Sequence, residues 1–527
     1  MYDLLIKNGT VIDGSGQPAY AADVAVENGK IAAIAPEISE GLARETIDVK
    51  GLSVIPGIID MHSHADLSFL DDERCQSKLY QGVTSELSGQ CGSTAYPCPP
   101  EHLDRIEAYG RTSRGNFAAA SLEAFAKGVE QRGDKMGTNQ LPLIGHGVLR
   151  CGVMGYEDRT AGSHELEQMR RLLRADMEYG AWGLSLGLGY TPGLSSDTEE
   201  LCRLGEEVAP FGGIVTSHMR NQSTGTPQAL EEMYEIYRRS GAHVHIAHFK
   251  AAGAAQGRAG EYIQNVHDAQ KSGVNVTVDF YPYTAASSGV TNSFPKWSIQ
   301  GGTHRAVEIL TGGGPDRERL MDALRSSFAT QRQAESLLVS STGGRLPEAD
   351  GRTIWEISQL WGCTPADAVA RLCVETNAGS ACISFSMSQS DVDLMLRQND
   401  FSVGSDGSAL PLDPALNRGK PHPRNFGTFP RFLRLAREQG FCTPEVAVRR
   451  ITGLTADTIG IKDRGYLRPG LVADIAVIDL NTVTDTATYQ DPVRKPVGVV
   501  HVLMDGRFAL RDGEQTEERL GKLLLRK

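Results

Sequence analysis

The chain has 527 residues, 40% of them hydrophobic and 22% charged, with only 24 Pro. This composition belongs to a globular protein able to bury a full core, so collagen-like and disordered classes are excluded, and the length suggests one large domain plus a smaller one. Lys and Arg number 53 against 65 Asp and Glu, a net charge of −12 without any basic run, so neither nucleic acid nor an anionic membrane surface is an expected partner.

The opening stretch MYDLLIKNGTVIDGSG lacks the basic, apolar and small-residue succession of a secretion signal, and no apolar run is long enough to span a bilayer; the expected location is cytoplasmic. Residues 4–6, 10–12, 23–26 and 31–34 read as short strands, with Asn28-Gly29 as the hairpin turn between the last two. Residues 474–478, 499–504 and 507–510 repeat this grammar around Asp505-Gly506. The two ends, 1–56 and 461–527, are therefore expected to build one small β-sandwich domain, with 57–460 inserted between them.

Inside that span, short apolar runs at 54–62, 82–88, 141–148, 183–188, 213–218, 243–248, 275–283 and 401–405 alternate with helical patterns such as 165–179 and 228–240. Eight such units predict an α/β fold, a (β/α)8 TIM-like barrel. The long gap between the seventh and eighth runs, with its Gly-, Ser- and Arg-rich piece 312–351, predicts an insertion near 290–350. Active sites of such barrels lie at the C-terminal ends of the strands.

Polar residues collect at those ends. The first run finishes in Asp60-Met61-His62-Ser63-His64, and because side chains alternate along a strand, Asp60, His62 and His64 share a face. The fifth finishes in Ser217-His218-Met219-Arg220, the sixth in Ala247-His248-Phe249-Lys250 and the eighth in Gly404-Ser405-Asp406-Gly407. Four His and one Asp on one barrel face form a zinc-type donor set. By the same alternation His243 and His245 should face the surrounding helices, which excludes them as ligands, whereas Lys250 shares a face with His248 and Arg220 with His218. His146, at the top of the third run, either lines the pocket or satisfies a core hydrogen bond. The Gly187–Gly193 stretch lacks the lysine and spacing of a phosphate loop and reads as a pocket-lining turn. Nine scattered cysteines without a CxxC pair argue against a disulfide framework or a zinc ribbon.

These features, with Pro56-Gly57-Ile58-Ile59-Asp60-Met61-His62-Ser63-His64, resemble the amidohydrolase superfamily over essentially the whole chain. Six ordered motifs resemble the D-aminoacylases, the N-acyl-D-amino-acid deacylases: Gly89-Gln90-Cys91-Gly92, Ser217-His218-Met219-Arg220-Asn221, His248-Phe249-Lys250, Tyr281-Pro282-Tyr283-Thr284-Ala285, Gly404-Ser405-Asp406-Gly407, and the run from His422-Pro423-Arg424 to Pro430. Many superfamily members bridge two metals with a carbamylated Lys after strand four, but residues 181–190 contain no Lys. In D-aminoacylases a cysteine after strand two takes that place, and Cys91 stands where the motif puts it; Gln90 departs from the usual Asn.

The resemblance implies a tight zinc held by Cys91, His218 and His248, with a second, weaker position at His62 and His64. Zinc activates water and polarises the scissile carbonyl, and Asp406 is the expected proton carrier. The resemblance further assigns the substrate carboxylate to Arg424, assisted by Lys250, Tyr283 and Ser287 or Ser288, and Arg is the residue whose planar fork fits a carboxylate. The expected activity is hydrolysis of small N-acyl-D-amino acids by a monomer or homodimer. The alternatives are a cyclic-amide hydrolase of the hydantoinase or dihydroorotase type and a non-catalytic barrel used for assembly. The missing Lys disfavours the former, and the complete ligand set the latter.

Overall fold

The computed structural model of the protein describes residues 1–106, 111–112 and 115–527. Strands from both chain ends join in one nine-stranded sheet, in which Ser53–Pro56 lies between Tyr2–Val11, its parallel neighbour, and Ile475–Ile478, its antiparallel one. The hairpin turns read from the sequence are present: Asn28 and Gly29, and again Asp505 and Gly506, take the left-handed conformation that two-residue hairpins require. Leu503 and Val24 sit in strands four steps apart along this sheet, yet share one apolar cluster with Leu4, Ile6, Val54 and Ile475. The sheet therefore folds over onto itself as a small sandwich.

The run expected at 54–62 is two strands. Ser53–Pro56 belongs to the terminal sheet and Ile58–Ser63 to the barrel, and the chain changes sheets at Gly57, whose N–H donates to the Asp474 carbonyl at 2.8 Å. A Cβ at Gly57 would stand 2.4 Å from Thr84 Oγ1, so only glycine allows this close crossing.

Eight parallel strands form the barrel sheet, in the order Ile58–Ser63, Val83–Ser88, Asn139–Gly145, Gly183–Gly187, Ile214–His218, His243–Ile246, Val276–Phe280 and Ser402–Val403. The eighth is shorter than the run 401–405 because only Ser402 and Val403 pair with the seventh. First and eighth meet through a bridge between Ser63 and Gly407 and through two backbone bonds, Asp406 N to the His62 carbonyl (2.8 Å) and His64 N to the Gly407 carbonyl (2.9 Å). Outward apolar residues such as Val244 and Ile246 pack against Met233 and Ile236 of the amphipathic helix Thr226–Ser240. Among the described residues no helix is long and apolar enough to cross a membrane.

Between the seventh and eighth strands a further unit is inserted. Its three-stranded sheet pairs Ala286–Gly289 and Leu337–Ser341 on either side of Ala381–Ser384, and its helices close over a separate core that includes Leu310, Leu324, Val339, Ile357 and Leu372. The unit runs on to Ser384, beyond the 290–350 expected, because the central strand that both others need lies past the Gly-rich piece.

Candidate metal centre and active site

The strand tops bring six donor residues together. Cys91, in the loop after the second strand, places Sγ 3.4 Å from His248 Nε2, 3.6 Å from His62 Nε2 and 3.8 Å from His218 Nδ1. Asp406 Oδ1 lies 3.2 Å from His64 Nε2 and 3.6 Å from His62 Nε2. Three groups, His62-His64-Cys91, Cys91-His218-His248 and His62-His248-Asp406, each hold their donor atoms within 4.8 Å of one another.

Local backbone strain aims these side chains. Cys91, His248 and Asp406 have φ of 56°, 37° and 51°, each costing about 1–3 kcal/mol that surrounding structure must offset. At Cys91 the loop is fixed by Gln90, whose carbonyl oxygen accepts from Thr216 Oγ1 (2.7 Å) and whose amide donates to the Met61 carbonyl (3.1 Å). The fourth strand makes room for it: a Cβ at Gly187 would meet the Cys91 carbonyl oxygen at 2.1 Å. The end of that strand is covered by the Cys91 loop.

The electrostatics favour a cation. Burial raises the Cys91 thiol, but His248, His62 and His218 beside it outweigh this and hold it well below the ordinary thiol range. Burial likewise raises Asp406, against Arg424 first and then His248, His64 and His62, which bring it well below the usual carboxylate value. Cys91 and Asp406 are thus buried anions at the cluster, with the Asp279 carboxylate beside them; against burial, Asp279 and then Cys91 raise His62 to about 10, and Asp406 with Cys91 raises His64 to about 9. A divalent ion satisfies the same field, and sulfur with imidazole nitrogens is the donor set that zinc prefers. The residues present fit that ion.

Alternation fails in one place. His245 and His243 face into the barrel, not the helices: both ring systems bond Thr277 Oγ1 at 2.8 Å, and His245 Nε2 lies 2.8 Å from Asp279 Oδ2. The sixth strand ends at Ile246 and the left-handed turn at His248 resets the side-chain direction, so counting parity through to His248 gives the wrong face. His245 nonetheless stays outside the three donor groups. Asp279, which the sequence reading passed over, supports the cluster from below: Oδ1 accepts from His248 N at 2.8 Å and Oδ2 lies 3.5 Å from His62 Nδ1. Its signal was its position at the C-terminal end of the seventh strand. Gln222 was also missed; its Nε2 is 3.2 Å from His248 Nδ1.

Above the cluster lies a cavity of about 620 Å³ lined by His64, Cys91, His218, His248 and Asp406, with Lys250, Arg424, Ser287 and Ser288 on its other walls. Arg424 Nη1 is 2.8 Å from Asp406 Oδ2, and both Arg424 and Lys250 stand over the Tyr281 ring, at 5.1 and 5.2 Å. Burial lowers Lys250 to about 8. Tyr283 is turned away. A bond from its N–H to the Tyr281 carbonyl (3.0 Å) reverses the chain just beyond the strand, and its ring lies under Arg431 at 4.7 Å, so Tyr281 is the tyrosine beside the cations. Arg220 makes a fork to Glu232 (3.0 and 2.9 Å) away from this cavity. His146 begins the helix His146–Met154 and bonds Glu200 at 2.6 Å, a buried structural pairing.

Comparison with known proteins agrees with this geometry. The model described as "Amidohydrolase family" matches residues 45–294 and 389–509, leaving out most of the inserted unit. The N-acyl-D-glutamate deacylase of Alcaligenes xylosoxydans xylosoxydans is 33% identical over 99% of this chain and 96% of its own. The crystal structure of an N-acyl-D-glutamate deacylase from Bordetella bronchiseptica, complexed with zinc and a phosphonate mimic of the tetrahedral intermediate, matches with a TM-score of 0.83 at 31% identity, covering 99% of both chains. A D-aminoacylase structure with a binuclear metal centre, described by one-metal activation and second-metal attenuation, matches equally well at 0.83 and 31%, covering 100% of both chains. With a family model spanning most of its length and deacylase relatives spanning nearly all of it, this chain belongs to the amidohydrolase family, among the D-aminoacylases.

Proposed function

We propose that the protein is a zinc-dependent hydrolase that cleaves N-acyl-D-amino acids into a D-amino acid and a carboxylate. The observation that carries this reading is the convergence, in one cavity, of the Cys91-His218-His248 donor group with Asp406, Arg424 and Lys250. Cys91, His218 and His248 would hold the tight zinc, and His62 with His64 the weaker second position. Zinc held there supplies Lewis acidity that activates water and polarises the scissile carbonyl.

The chain's own residues do the rest. Asp406, held ionised by Arg424 and the surrounding imidazoles, accepts the proton of the attacking water and returns it to the leaving nitrogen, a role worth about 10²–10⁴-fold in rate. Arg424 and Lys250 grip the α-carboxylate from one wall, the former with a buried Nε–H that has no other acceptor among the described residues. Both cations stand over the Tyr281 ring, which holds them on the same wall of the cavity. Ser287 and Ser288, from the inserted unit, face the remainder of the substrate. We place the enzyme in the cytoplasm as a monomer or homodimer acting on small molecules alone; none of its nine cysteines is in a disulfide, which fits a reducing compartment.

The test is a hydrolysis panel of N-acetyl-D- and N-acetyl-L-amino acids with added zinc, alongside a hydantoin and dihydroorotate. Turnover confined to the D-series supports the proposal. Cleavage of only the cyclic amides replaces it with the cyclic-amide reading.

A further inference from the structure

Below the donor cluster lies a group of buried charges that the mechanism above does not use. Lys78, from the short helix Gln76–Leu79, is fully buried inside the barrel wall. Its Nζ donates to Asp60 Oδ2 (2.7 Å), Ser405 Oγ (2.7 Å), Ser63 Oγ (3.1 Å) and the Gly407 carbonyl (3.1 Å), and lies 3.1 Å from Glu86 Oε2. Five partners around one ammonium exceed its three protons, so the charge is shared as a hub.

Four of the five partners come from the first strand and the end of the eighth, whose meeting closes the barrel. Asp60 and Ser63 are on the first strand, Ser405 and Gly407 flank Asp406 after the eighth, and Glu86 is on the second, where it also accepts from Ser63 Oγ (2.6 Å) and Thr138 Oγ1 (2.6 Å). Asp60 extends the lattice, accepting from His62 N (3.1 Å), Ser405 N (2.9 Å) and Ser405 Oγ (2.5 Å). The ladder between first and eighth strands is a single bridge and two backbone bonds. A side-chain clip therefore carries much of what ladder bonds carry elsewhere around the barrel, and the residue it leaves in a left-handed conformation between its two anchor points is Asp406.

We infer that Lys78 is a positioning residue for the reaction: through Ser405 and Gly407 it holds Asp406, and through Asp60 and Ser63 it holds His62 and His64, in the geometry of one shared centre. This role rests on the reading of Asp406 as proton carrier. An apolar side chain would fill the same volume and bury more cheaply than an ion pair, but it offers nothing to the Gly407 carbonyl or to Ser405. Misplacement of a catalytic group by about 1 Å is enough to cost about 10²-fold.

Two variants of the full-length, metal-loaded protein test this. Lys78→Met/Glu86→Gln removes the clip while keeping charge balanced, and Ser405→Ala removes one strut beside Asp406 with every charge intact. For each, kcat, KM, metal stoichiometry and the visible spectrum of the cobalt(II)-substituted protein are measured. We expect kcat to fall about 30- to 100-fold in the double variant and about 10-fold in Ser405→Ala, with KM within about 3-fold, metal content retained and the cobalt spectrum altered. A merely structural role would lower the melting temperature and the folded fraction, leaving kcat per metal-loaded molecule and the spectrum as in the parent, and that result overturns the inference. Where the double variant does not fold, Ser405→Ala decides on the same criteria. If the parent hydrolyses none of the N-acyl-D-amino acids, the functional reading fails, and the cobalt spectrum decides the positioning role: unchanged in both variants, it overturns it.

Discussion

The Arg424 guanidinium and the Asp406 carboxylate meet at 2.8 Å, each more than nine-tenths buried. The group proposed to bind the substrate carboxylate and the group proposed to carry the proton are thus in contact, and seating a substrate on Arg424 sets its amide relative to Asp406. Arg424→Leu should therefore weaken kcat/KM for N-acyl-D-amino acids by about 10- to 150-fold, the loss of a charge-assisted bond of about 1.5–3 kcal/mol. An uncharged N-acyl amine should lose much less, and equal losses on both would remove the carboxylate-clamp role.

Asp406→Asn leaves the shape of the cavity and the Cys91-His218-His248 group intact. Zinc content by elemental analysis should stay near that of the parent while kcat falls by about 10²–10⁴-fold. Full activity in this variant would assign the proton to another group.

Cys91→Ala takes away the one sulfur donor, which belongs to two of the three donor groups. Chelation should abolish turnover in the parent and zinc should restore it, whereas the variant should need far more zinc. Asp279→Asn acts one layer out, on His248 and His62, and should weaken zinc by about 10- to 100-fold. A competitive titration with a chromogenic chelator reads both, and an Asp279 variant with parental affinity would leave that residue a core function only.

Asp176 gives a pH signature remote from the active site. Its carboxyl accepts from Leu122 N (3.0 Å), its other oxygen has no hydrogen-bond partner among the described residues, and burial pushes it up to about 7. The folded state therefore keeps a proton that the unfolded chain has already lost at about 3.9. That contribution is fully present below the unfolded value and is lost as pH rises towards 7, by up to about 4 kcal/mol. Asp176→Asn should flatten this slope in chemical unfolding curves and stand at least as stable as the parent at pH 8.

The barrel was legible because eight β-rich runs alternate with amphipathic helices, and the donor residues because each closes one such run. Cys91 entered through the family motif, since a thiol after a strand carries no periodic signal of its own. What escaped the sequence depends on registers between strands. Asp279 meets His245 only because Val244 pairs with Val276 and His245 with Thr277, and no single run contains that information. His245 was put on the wrong face because the chain turns sharply at the strand end, where alternation stops, whereas Tyr283 was taken from the family motif, which does not reveal that the chain reverses between Tyr281 and Tyr283. Lys78 lay in an unremarked polar stretch, and its partners are 8 to 329 positions away.

The inserted unit has an apolar core of its own, and it lends the cavity Ser287, Ser288, Asn292, Ser293, Leu337 and Ser384. The donor cluster and this part of the cavity wall are thereby mounted on separately packed frames, and in the proposed reading the first carries the chemistry and the second faces the substrate side chain. A library confined to the inserted strands can reshape the side-chain pocket while the donor cluster, anchored to the barrel rim, is left alone, and the unit as a whole is a natural cassette for exchange between deacylases that prefer different amino acids.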